Sequence, residues 1–88
     1  MDGKKVEKFI KDKIESQKAY YPKQVFKDIE INVYNGSFGS ITITISNKLS
    51  YASGYVGNYD AVSDKVSDFL NRAQAKLFAN YWYKHHKA

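Results

Sequence analysis

A few residues in this chain of 88 have the types and spacing to do chemistry. His85 and His86 are its only histidines. Adjacent residues on a helix point about 100° apart, so the pair is poorly placed to chelate one metal ion or to share a proton. An exposed basic tail explains them as well. Asp28 and Glu30 alternate on one face of an expected strand and could approach a divalent cation for phosphodiester chemistry. That chemistry needs further acids, and the next residues along the face are Asn32 and Lys27. Two Gly-x-x-Gly tetrads, Gly36-Ser37-Phe38-Gly39 and Gly54-Tyr55-Val56-Gly57, have the form of a backbone-clamping nucleic-acid loop. Such a loop joins two helices, whereas these tetrads flank strands, where glycine serves turn geometry. No Walker sequence and no G-x-S-x-G elbow is present. No catalytic apparatus, metal site or cofactor site is recognisable, and the expectation is a non-enzymatic protein.

The tyrosines stand out more. There are eight, with one tryptophan. Tyr51, Tyr55 and Tyr59 crowd the approach to the second expected helix, and Tyr81, Trp82 and Tyr83 cannot all face inward. Tyrosine and tryptophan offer rigid area with a polar tip, suited to interface hot spots or to stacking on bases. The structural alternative is that they rim the core. The residues expected to make contact are Tyr51, Tyr55, Tyr59, Trp82 and Tyr83, with Lys4, Lys8 and Lys11 steering the encounter.

The elements that must position these groups follow from periodicity. Val6, Phe9, Ile10, Ile14 and Gln17 predict a helix over Lys4–Lys18. Lysines in its first turn oppose the helix dipole, so this end is expected to gain little from capping and to fray. Tyr20-Tyr21-Pro22 ends it. Val25 to Tyr34 reads as a strand, with Ile29, Ile31 and Val33 inward and Asp28, Glu30 and Asn32 outward. Asn35–Ser40 is a turn cluster. Ser40–Ser46 is a second strand, with Ile41, Ile43 and Ile45 inward. Asn47-Lys48 makes a tight turn, Leu49–Ser53 a short third strand, and Gly54–Gly57 a loop. A long helix is expected from Asp60 to Tyr83, capped by Asn58 or Asp60, with Val62, Val66, Phe69, Leu70, Ala73, Leu77 and Tyr81 as its apolar stripe. His85-His86-Lys87-Ala88 should fray. The predicted fold is α+β, a two-layer helix–three-stranded antiparallel meander–helix, αβββα, in a single domain over 1–88.

Composition limits the classes further. Hydrophobic residues make up 43% of the chain, which is a folding composition. There is no cysteine, so packing alone must hold the fold. No apolar run long enough for a secretory signal or a membrane span occurs, and the reading is a cytoplasmic protein without membrane association. The net charge is +5, with an early excess of lysine that could attract phosphates or an acidic surface.

The element order is shared with double-stranded-RNA-binding domains, whose second helix starts with lysines. Here that start is Asp60-Ala61-Val62-Ser63-Asp64-Lys65, which is acidic. From Lys11 to Ile45 the charged helix, the Tyr-Pro junction, the strand and Gly-Ser-Phe-Gly-Ser-Ile-Thr-Ile resemble the small "large polyvalent protein associated" domains of phages and mobile elements. The chain departs from them at Thr42-Ile43-Thr44, in place of a Trp-containing strand, and at Asn47-Lys48, in place of Gly-Pro. Its size and element order also resemble small anti-CRISPR proteins. Both resemblances imply a phage or mobile-element accessory protein. It would bind, and by binding inhibit, a host macromolecule such as a CRISPR effector protein. A basic nucleic-acid-binding module is the alternative expectation, and a homodimer is a further possibility for the third strand's free edge.

Overall fold

The structure, a computed structural model, describes residues 1–86. Helix α1 spans Gly3–Ser16, a 3-10 turn spans Lys23–Phe26, and strand β1 spans Glu30–Asn35. A second 3-10 turn at Ser37–Gly39 leads to β2, Ile41–Ser46; β3 follows at Tyr51–Val56, and α2 spans Tyr59–His86. The strands form one antiparallel sheet in the order β1-β2-β3, and both helices pack on the same side of it. The αβββα order and the α+β class are therefore as the periodicity predicts.

The isoleucine alternation dictates the inner face. Ile41, Ile43 and Ile45 of β2 are buried, as are Val6, Ile10 and Ile14 of α1 and Val62, Val66, Phe69, Leu70 and Ala73 of α2. Burying each of the larger side chains contributes about 1.5–3 kcal/mol. The register pairs Ile31 with Ile45 and Val33 with Ile43 on one side, and Ile45 with Ala52 and Ile41 with Val56 on the other. Helix α1 comes close to the end of β1, where a Cβ on Gly3 would stand 2.7 Å from the side-chain Nδ2 of Asn35.

Several boundaries differ from expectation. The N-terminus of α1 is capped: Asp2 Oδ1 accepts from the Lys4 amide at 3.0 Å, and Gly3 and Val6 are buried. A single capping carboxylate next to a docked first turn offsets the unfavourable lysines. The first strand is shorter than predicted. Val25 sits buried in the 3-10 turn, and Asp28 has φ +56, a left-handed conformation that aspartate tolerates and a strand does not contain. Asp28 and Glu30 are thus not neighbours on one strand face. The third strand is longer and shifted, covering Gly54–Val56, the first three residues of the predicted loop. Helix α2 is longer than expected at both ends and is capped by Asn58, whose Oδ1 accepts from the Ala61 amide at 2.8 Å. Tyr81 lies outside the core and is 62% exposed. Lys87 and Ala88 of the expected fraying tail lie outside the described residues.

At 28 residues α2 is about 42 Å long, more than the sheet can cover. Its buried contacts end at Ala73, with half-buried Leu77 beyond. The last turns project past the sheet, and the molecule measures 54 Å by 24 Å by 20 Å. No helix among the described residues is long and apolar enough to cross a membrane.

Candidate functional site

Because both helices lie on one side of the sheet, its other face is bare. Strand alternation places Glu30, Asn32 and Tyr34 of β1 on that face, beside Thr42, Thr44 and Ser46 of β2 and Tyr51, Ser53 and Tyr55 of β3. The register arranges them in three rows: Tyr34–Thr42–Tyr55, Asn32–Thr44–Ser53 and Glu30–Ser46–Tyr51. Thr44 Oγ1 and Ser53 Oγ share a hydrogen bond of 3.2 Å across the middle row. The tyrosines are 57%, 59% and 68% exposed for Tyr34, Tyr51 and Tyr55. Glu30 is the one charge among the nine positions, and none is lysine or arginine.

The Tyr34–Tyr55 row ends next to the β1–β2 turn. There Phe38 is fully exposed at φ +59, ψ +31, followed by Gly39 at φ +75. The Ser40 amide donates to the Ser37 carbonyl at 3.2 Å, closing a turn whose two central residues both have positive φ, as a type I′ turn requires. A phenylalanine there is strained by roughly 1–3 kcal/mol, and such residues concentrate at functional sites.

The expected contact residues do not converge. Tyr51 and Tyr55 stand on the bare face. Tyr59 lies on the helical side, its ring 4.9 Å from that of Phe9. Trp82 and Tyr83 are on the projecting end of α2 with exposed Phe78 and Tyr81. Trp82 stacks on His86 with ring centres 5.0 Å apart, and the Tyr81 ring lies tilted against His85 at 4.1 Å, so the two histidines point to different neighbours. Lys8 pairs with Asp12 at 2.7 Å and Lys11 with Glu7 at 3.4 Å, so two of the three expected steering lysines have a carboxylate partner; Lys4 is exposed near the capped N-terminus. Asp28 and Glu30 face a shallow depression with Ser46, Asn47 and Lys48. Among the described residues no third histidine, cysteine or carboxylate joins them in a metal-binding group.

The sequence pattern did not single out Tyr34 or Phe38, which the fold places exposed at one end of the bare face. The signal for Tyr34 was present: it continues the outward alternation of Glu30 and Asn32. Nothing in the turn's composition indicated which way Phe38 would point.

No family model, curated protein or solved structure matches the chain.

Proposed function

We propose that this chain is a non-enzymatic binding protein that engages another protein through the bare face of its sheet, with Tyr34, Tyr51, Tyr55 and the Phe38 turn in contact. The observation that carries the reading is the composition of that face. Tyrosine, serine, threonine and asparagine on a rigid scaffold are close to the residues that antibody paratopes favour, where aromatic rings supply area and small polar groups adapt their hydrogen bonds. A nucleic-acid face would need cations to neutralise phosphates, and the nine outward positions supply none. The resemblance to phage and mobile-element proteins suggests the setting: an accessory protein occupying a host protein, a CRISPR effector among the first to try.

The test is a photo-crosslinking residue placed at Tyr55, and separately at Lys13 on α1, in bacterial lysate. The expected result is a discrete protein adduct from position 55 that disappears when Phe38 and Tyr34 are alanine. Equal labelling from both positions overturns the reading. So does an adduct that nuclease removes, which would favour the basic nucleic-acid module instead.

A further inference from the structure

We infer that two copies of this chain pair through their β1 edges, joining two three-stranded sheets into one of six. The inference is independent of the partner proposed above. Its first basis is the free backbone of β1. The Gly36 amide donates to the Ser40 carbonyl at 2.7 Å, in the same register that sets Tyr34 opposite Thr42. Bonded and non-bonded pairs alternate in an antiparallel ladder, so Glu30, Asn32 and Tyr34 bond to β2. The amide and carbonyl groups of Ile31, Val33 and Asn35 then point out from the edge, available to another strand.

The second basis is a difference between the two edges. Inward residues of β3 are sealed: Ala52 and Val56 are buried, and the Lys65 side chain comes within 2.8 Å of where a Cβ on Gly54 would stand. A lysine laid across an edge discourages strand addition. At β1 the inward residues Ile31 and Val33 are only half-buried, and Phe26 and Ile29 extend the same uncovered apolar strip. A groove between α1 and β1 is lined by Ile14, Phe26, Ile29 and Ile31. The lysines at its rim are already matched, Lys11 by Glu7 and Lys18 by Glu15 at 2.9 Å.

The third basis selects a second copy as the occupant. An antiparallel two-fold pair centred on Asn32 sets Ile31 opposite the partner copy's Val33, in both directions, on the inner side. On the outer side it sets Glu30 opposite the partner copy's Tyr34, a carboxylate beside a phenol. Glu30 is the one charge in β1, so no like charges meet. Centring on Val33 instead would set Ile31 against polar Asn35. The strand is thus complementary to itself, as a two-fold interface demands.

The native chain has no cysteine, which makes the test clean. In the proposed register Asn32 meets its own copy in a non-bonded pair at about 4.5 Å between Cα atoms, within the range a disulfide spans. Under mild oxidation Asn32→Cys should give a covalent dimer, and Ser53→Cys at the sealed edge should not. Sedimentation equilibrium of the unmodified chain should return about twice 10.1 kDa. Val33→Pro, which removes one outward amide, should weaken association about tenfold or more. A monomer at every concentration overturns the inference. So does a dimer that cross-links through Ser53→Cys and not through Asn32→Cys, a readout that stands even if Val33→Pro fails to fold.

Discussion

The Asn47 side chain joins two segments far apart in sequence: its Nδ2 donates to the Val25 carbonyl at 2.9 Å and to the Lys27 carbonyl at 3.1 Å. Its Oδ1 accepts from the Leu49 and Ser50 amides at 2.9 and 3.0 Å. One residue therefore closes the β2–β3 turn and anchors the 3-10 turn that leads into β1. Asn47→Ala removes all four bonds, and with about 1 kcal/mol net for each the expected loss is roughly 2–4 kcal/mol. Asn47→Asp should cost a comparable amount, because a carboxylate would face two carbonyl oxygens. Urea unfolding midpoints measure both.

Phe38→Asn should make the protein more stable and the binding worse. Asn-Gly is the favoured pair for a type I′ turn, and relief of the left-handed phenylalanine should add about 1 kcal/mol, or roughly 4–8 °C in melting temperature for a domain of this size. Loss of partner capture alongside that gain would mark Phe38 as a contact residue. An unchanged or lower melting temperature would contradict the strain.

The two ends of α2 should respond differently to truncation. Phe69 is fully buried, and Phe69→Ala should cost about 3–5 kcal/mol. Trp82 is 58% exposed on the projecting turns, and Trp82→Ala should change stability by about 0.5 kcal/mol or less. Thermal denaturation of the two variants side by side measures the contrast.

Asp2→Ala should cost about 1 kcal/mol by leaving the α1 N-terminus uncapped, while Asp2→Asn should retain most of the stability. Circular dichroism melts of the two variants separate the cap from a pure charge effect.

Element type and the inward set of residues were legible because they depend on periodicity, which is local. Ile41, Ile43 and Ile45 alternate, and they are the buried centre of the sheet. Boundaries were legible only where a neighbour in sequence does the capping or closing, as at Asn58 and Asn47. They failed where distant packing intervenes, and at the start of α1, where the local cap Asp2 outweighs the first-turn lysines. The break after Val25 depends on Asn47, 22 residues later, and the continuation of β3 through Gly54 depends on pairing with Ile43 and on the cover of Lys65.

For the candidate surface, sequence alone determined that this protein holds more tyrosine than a small core can absorb, and that its outward strand positions are polar. Only the tertiary structure decided which tyrosines stand together. Tyr34 and Tyr55 are 21 positions apart, and flank Thr42 because the register of two hairpins brings them into one row. Tyr59, four residues after Tyr55, goes to the opposite layer because the chain reverses at Gly57-Asn58 to start α2. Local spacing places a side chain on a face of its own element; which faces remain uncovered is settled by where the helices pack, and here both chose the same side.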